Sequence, residues 1–222
     1  MSSVEKVYLI AWKDLLSEFR TKELLGGMLV FSLLVIVTFN FAFDLTGASR
    51  AVSGAGALWI AFLFAGVLGF GRTIATERDR GSLDGLLLCP IDRGILYLGK
   101  LTSNLIFILI VELITVPVFG LLFDLPVYRP MMILALVLGT LGFAGIGTLL
   151  ATMAAGTKAR EVLFPLLLFP LSVPIVIATV RSCALVLSGE MTDVPSWLGL
   201  TAAFDLIFLT VAFLVFERVV EE

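Results

Sequence analysis

Apolar residues in this chain come in six solid runs rather than at alternating or strictly helical spacing. They are Leu24–Phe43, Ala51–Gly71, Leu101–Phe123, Met131–Ala155, Val162–Val180 and Leu198–Phe216, each of 19 to 25 residues. At about 1.5 Å per residue each run spans the roughly 30 Å hydrocarbon layer as a helix. Strands of a transmembrane barrel would alternate apolar with polar positions, and these runs do not. Four runs carry no charge. The third holds only Glu112 and the sixth only Asp205. The pattern predicts an all-α polytopic membrane protein with six transmembrane helices.

Before the first run the pattern changes. Val4, Tyr8, Ala11, Trp12, Leu15 and Phe19 recur at helical spacing, with Glu5, Lys6, Lys13, Asp14, Ser17 and Glu18 largely between them. Residues 1–23 therefore read as an amphipathic helix on the membrane surface, with Tyr8 and Trp12 at headgroup level. It is either a simple anchor or a lever against which the first span moves. A cleavable signal would need a short apolar core followed by small residues, which this segment lacks.

Composition and charge then narrow the function. The chain is 59% hydrophobic with a mean hydropathy of +1.10, so the helices need lipid. Outside the spans only 95 of 222 residues remain, too few for a soluble catalytic domain. Lys and Arg divide 12 to 3 between the two sides, which places both termini and the loops 72–100 and 156–161 in the cytosol. The whole is one domain: helix 1–23, spans in 24–71, a cytosolic loop 72–100, spans in 101–216 and a short tail 217–222. The absence of histidine removes the commonest metal ligand and axial haem ligand. Cys89 and Cys183 face opposite compartments in this topology and are not expected to pair.

Loop 72–100 carries the densest signal. After Glu77, Arg78, Asp79 and Arg80, Gly81 breaks the helix, Ser82 can cap a short helix through Leu83, Leu86, Leu87 and Leu88, and Pro90 ends it. Asp92 can cap the next helix, which runs into the third span. Exposed leucines of this kind need cover from the membrane, a neighbouring loop or a groove on a partner. Gly94 to Lys100 imitates a phosphate-binding loop, but no strand precedes it and Leu101 stands where Ser or Thr should be. Nucleotide binding by this chain is therefore not expected, and Lys100 is expected to reach the inner headgroups.

Three prolines, Pro165, Pro170 and Pro174, predict a kinked or broken fifth span, which either lines a pathway or forms a hinge, or is a static kink filled by neighbouring helices. Glu112 and Asp205 lie near mid-depth. A buried acid there needs a partner, with Thr115, Asn104, Thr38 and Asn40 of the right chemistry, or else serves as a proton relay or ligand contact. Gly139, Gly142, Gly145 and Gly147 of the fourth span predict a close-packing face, with a dimer contact one use of it.

The run from Glu77 through Gly81, Ser82, Leu83, Asp84, Leu86, Leu87 and Pro90, followed by Gly99 and Lys100, resembles the cytosolic loop of ABC-2-type transporter permeases. Gly85, inside the short helix, departs from a strong helix former. The segment from Phe164 through Pro165, Pro170, Ser172 and Pro174 to Ala178 is similar to the haem exporter protein B family (CcmB) of cytochrome c maturation. That resemblance implies a permease subunit rather than an enzyme. It implies docking of a separate ATPase (CcmA-like) on Glu77, Arg78, Arg80, Gly81, Ser82, Leu83, Asp84, Leu86, Leu87 and Pro90. It further implies haem-handling membrane partners (CcmC-like and CcmD-like), a homodimer within the complex, ATP held only by the partner and haem as cargo. The expected location is a bacterial or archaeal cytoplasmic membrane, or an organellar inner membrane, with no nucleic-acid partner. Two other readings fit the same residues: an ABC-2 permease for a lipid-linked glycan or drug, and a non-transporting scaffold of a maturation complex.

Overall fold

The computed structural model describes residues 2–43, 48–79, 92–157 and 159–219. All its regular elements are helices: α1 (Ser3–Thr21), α2 (Glu23–Ala42), α3 (Ala48–Asp79), α4 (Arg93–Phe123), α5 (Pro130–Ala155), α6 (Arg160–Ser188) and α7 (Val194–Val219). The helices α2 to α7 each contain a stretch long and apolar enough to cross a membrane. The six expected spans are all present. The fifth is longer than expected, because α6 continues to Ser188, and the connection after it shrinks to a few residues around Gly189.

Local chemistry sets the ends. Ser2 caps α1 and exchanges hydrogen bonds with Glu5: Glu5 N–H donates to Ser2 Oγ at 3.3 Å, and Ser2 N–H donates to Glu5 Oε2 at 2.9 Å. Lys22 adopts a left-handed conformation (φ 56°) and joins α1 to α2 in a one-residue turn. Glu18 stabilises that turn, its Oε1 accepting from Leu24 N–H and Leu25 N–H, both at 2.9 Å. Those donors belong to the otherwise unpaired first turn of α2. Gly189 (φ 89°) ends α6, its N–H donating to Leu185 O and Glu190 N–H donating to the same oxygen.

The helix α5 is the most enclosed span, with α3, α4, α6 and α7 around it. Its glycines allow that closeness. A Cβ at Gly139 would fall 2.6 Å from Thr179 of α6 and onto Trp59 of α3, and one at Gly142 would collide with Asp205 of α7 and Ile175 of α6. Gly145 and Gly147 meet Leu209 and Phe70 in the same way. In lipid, helices associate through such contact rather than through the hydrophobic effect. The close-packing face is thus as expected, and these four positions are filled from within the chain rather than by a second copy.

Two apolar clusters flank the middle of the bundle. At the end bearing segment 80–91, Met28, Phe70, Tyr97, Phe143, Phe164 and Phe216 pack together. At the other end Trp59, Phe62, Phe119, Phe123 and Met132 do so.

Proline does not break α6. The helix is continuous from Arg160 to Ser188 with Pro165, Pro170 and Pro174 inside it. Each proline removes one ladder bond, but membrane helices tolerate this when neighbours and hydroxyls re-satisfy the freed groups.

Candidate functional site

The sequence places the functional weight on the loop between the second and third spans. Residues 80–91 lie outside the described residues, so the structure does not place Arg80, Gly81, Ser82, Leu83, Asp84, Leu86, Leu87 or Pro90. Glu77 and Arg78 fall in the last turns of α3, where only the backbone is described. What the structure does give is the pair of helices that flank the loop.

Both run well past their apolar spans. The 31 residues of α4 rise about 46 Å, roughly half as long again as the hydrocarbon layer. As expected, Asp92 caps α4, its Oδ1 accepting from Gly94 N–H at 2.7 Å. The helix α3 extends unbroken to Asp79. Arg72 pairs with Glu23, which ties α3 to the start of α2.

The first turns of α4 are gripped on several sides. A Cβ at Gly94 would strike Phe213 of α7, and one at Gly99 would sit 2.7 Å from Ile10 of α1. Tyr97 is buried, its ring 5.2 Å from that of Phe216, and its hydroxyl donates to Gly145 O at 3.2 Å. One residue past Gly99, Lys100 Nζ donates to Asp14 Oδ2 at 2.8 Å, and Ser103 Oγ donates to the same oxygen at 3.0 Å. Lys13 pairs with the other oxygen at 3.1 Å.

This corrects the expectation for Lys100. It does not reach the headgroups: it is 2% exposed and meets a carboxylate that is 7% exposed. The surface-anchor reading of α1 changes with it. Ile10, Ala11, Asp14, Leu15 and Glu18 form the buried face, while Val4, Tyr8, Trp12 and Phe19 point outward. Two acids assigned to the water side are inside. Burial raises the Asp14 carboxyl, but Lys100 and Lys13 beside it outweigh that, and it titrates below its ordinary 3.8.

The intramembrane acids are separate from this clamp and from each other. Glu112 (5% exposed) accepts a hydrogen bond from the Thr140 hydroxyl of α5. That partner was not among those expected. Asn104 instead donates to Thr148 Oγ1 at 3.0 Å and Asn40 to Leu122 O at 2.8 Å. Thr115 is buried, its hydroxyl without a partner among the described residues, and Thr38 is exposed. Asp205 (4% exposed) packs on Gly142, and neither carboxylate oxygen meets a donor among the described residues. Thr140 and Gly142 are two residues apart on α5, so the two acids approach different faces of that helix.

Of the candidate hinge residues, Pro170 and Pro174 are exposed on the outside of the chain, and Pro165 borders a cleft between α3, α5 and α6. Cys183 is buried near the end of α6, five residues before Ser188.

Sequence reasoning missed Asp14, Glu18, Ser103 and Thr140. One signal for the first two was present. Ile10, Asp14, Glu18 and Ala11, Leu15 fall on one stripe of a helix, so the acids share a face with apolar residues.

Comparison with known proteins supplies the remaining constraint. The profile of the family described as CcmB protein matches residues 5–221. The chain is 30% identical over 194 residues to "heme exporter protein B" of Rhodobacter capsulatus, covering 86% of this chain and 89% of that one. It is 29% identical over 160 residues to the protein of that name from Pseudomonas aeruginosa, 72% of each chain. With the Paracoccus denitrificans protein of that name, identity is 32% over 154 residues, 68% of this chain and 70% of the other. A match that runs nearly end to end, on a six-span helical membrane fold, establishes that the chain belongs to the CcmB family.

Proposed function

We propose that this chain is the membrane subunit of an ATP-driven haem export complex of cytochrome c maturation, and that a separate ATPase drives it through loop 77–90. The relatives' name, heme exporter protein B, supplies the cargo class. The observation that supports the coupling is mechanical. The helices α3 and α4 extend beyond their spans towards the two ends of that loop, and the first turns of α4 are fixed to α1, α5 and α7. A push on the loop therefore enters the bundle as motion of stiff helices.

The cycle then reads as follows. ATP closes two ATPase subunits, and the groove holding Leu83, Leu86 and Leu87 moves. Arg78, Arg80 and Asp84 orient the docking, and α3 and α4 carry the displacement inward. Through Asp14, α1 follows α4; through Glu18 and the one-residue turn at Lys22, α2 follows α1. With no histidine in the chain, haem iron lacks its usual axial ligand here. The energy of ATP then serves to release a haem-loaded chaperone from a partner. The charge bias puts both termini and the loop in the cytosol.

Leu86→Asp tests this. The complex should still insert in the membrane, while ATP hydrolysis should no longer drive delivery of haem to c-type cytochromes. Normal cytochrome c maturation in a strain carrying only the Leu86→Asp chain would overturn the docking. Recovery of no P-loop ATPase with the wild-type chain from its native membrane would overturn it as well.

A further inference from the structure

Asp205 stands midway along the apolar stretch Val194–Phe216 of α7 and is buried. Its carboxyl enters the notch left by Gly142 on α5, where a Cβ would collide with Oδ1 and with Ile175 of α6. Both oxygens are shut off from water, and neither has a donor among the described residues. The neighbouring hydroxyls are committed elsewhere. Thr201, one turn earlier on α7, donates to Trp197 O at 3.0 Å, and Thr179, one turn beyond Ile175 on α6, donates to Ile175 O at 2.7 Å. No cation takes their place. The helix α5 carries no charged residue, Arg181 of α6 is exposed, and Lys100 of α4 is bonded to Asp14.

A polar group buried without a partner is costly, most of all inside a membrane. The same chain supplies a donor to its other intramembrane acid, Thr140 to Glu112. Whole seams differ in the same way. Between α4 and α5, Tyr97 donates to Gly145 O at 3.2 Å, Asn104 to Thr148 Oγ1 at 3.0 Å, and Thr140 to Glu112. Between α5 and α6, Arg129 at the start of α5 donates to Val186 O. Between α5 and α7 the described residues make no such bond: Thr201 and Thr210 donate within α7, and Asp205 is unpaired.

From these we infer that Asp205 is a positioning residue of the transport cycle: it poises the α5–α7 seam to part, and water meets its carboxyl in the parted state. With the seam closed the acid is neither hydrated nor paired. With the seam parted it regains hydration, which favours parting. Close packing at Gly142 and Gly145, where Asp205 and Leu209 sit, opposes it. An apolar residue at position 205 removes the first effect and keeps the second, so it seals the seam. The inference rests on the ATP-driven cycle proposed above and adds to it the seam that moves.

The test uses the whole complex in its native membrane. Asp205→Leu, with the smaller Asp205→Ala beside it should leucine overfill the notch, should melt at or above the native temperature and yet lose cytochrome c maturation. A thiol placed in the seam by Leu209→Cys, in a chain carrying Cys89→Ser and Cys183→Ala, should react with a water-soluble maleimide when ATP is added and be spared without it. Adding Asp205→Leu should abolish that ATP-dependent labelling, which a merely structural acid would not do. Normal maturation in the Asp205→Leu strain would overturn the inference. So would labelling indifferent to ATP in a complex that hydrolyses it, or a lowered melting temperature in both Asp205 variants, which would make the acid a structural contact. A complex without ATP hydrolysis would count against the ATP-driven reading instead, and maturation in the Asp205→Leu strain would still decide this one.

Discussion

Removing Lys100 alone, Asp14 alone and both together gives three chains whose stabilities test the clamp between α1 and α4. The charges lie 2.8 Å apart, nearly inaccessible to water. At an effective dielectric of 20 their attraction is about 6 kcal/mol, most of it offset by the cost of burying both ions. Net worth and breaking cost therefore differ. Lys100→Met leaves a buried carboxylate with only Lys13 and Ser103 as the described partners, and should cost about 3 kcal/mol. Asp14→Leu should cost a similar amount. The double variant fills the space with apolar groups and should lie within about 1 kcal/mol of the native chain.

Read as melting temperature in lipid nanodiscs, each single variant should fall by roughly 6–12 °C, taking 2–4 °C per kcal/mol for a chain of this size. The double should recover most of that. Additive losses in the double variant would refute the pair as the contact holding α1 to α4. A native-like Lys100→Met would do the same.

The clamp also sets a pH dependence with a definite sign. Asp14 titrates below 3.8 in the folded chain, so the unfolded state binds its proton more readily. Its contribution is fully present above about pH 4, and is lost as pH falls through the lower folded value. Asp14→Asn should lack this acid limb. An unchanged acid limb in that variant would show that other carboxylates set it.

Gly142→Ala should destabilise the chain by about 1–3 kcal/mol through overpacking, because the new methyl collides with Asp205 and Ile175. Gly26→Ala and Gly27→Ala, where nothing lies within 4 Å, should instead stabilise α2 by up to about 1 kcal/mol each; thermal unfolding distinguishes the two directions. Glu112→Gln should hold stability within about 1 kcal/mol, since an amide oxygen accepts the Thr140 hydroxyl as a carboxylate oxygen does, and cytochrome c maturation should persist. Loss of maturation at unchanged melting temperature would assign the Glu112 carboxyl a part in the cycle.

The spans were legible because lipid makes a one-dimensional demand: some twenty apolar residues in a row, whatever their neighbours. Burial inside the bundle was not, because membrane helices face apolar side chains outward as well as inward. Leu113 (75% exposed) and Val111 (buried) are equally apolar neighbours on α4, and only packing separates them. Small residues gave a better signal. Gly139, Gly142, Gly145 and Gly147 marked the crowded faces of α5 correctly, since close approach needs the missing Cβ. The partner of Glu112 was illegible for a different reason. Thr140 lies 28 residues away on another helix, and no local rule chooses it over Thr115, one turn along α4.

Lys100 shows how a sound local rule fails. A lysine at the end of an apolar run ordinarily bends its charge into the headgroups. That outcome assumes no better acceptor within reach. Here the capping of α1 by Ser2 and Glu5 and the one-residue turn at Lys22 return the chain to the bundle. Gly99 then admits Ile10, which brings Asp14 to the ammonium. The acids that looked like a water-facing stripe serve as the attachments of α1, Asp14 to α4 and Glu18 to α2. A surface anchor would tolerate neutral substitutions at both positions. A helix that couples the loop exit to the first span would not, and it would lose haem delivery when Glu18→Ala loosens the α1–α2 turn. Preserved delivery in Glu18→Ala, with α2 still inserted, would return α1 to the role of an anchor.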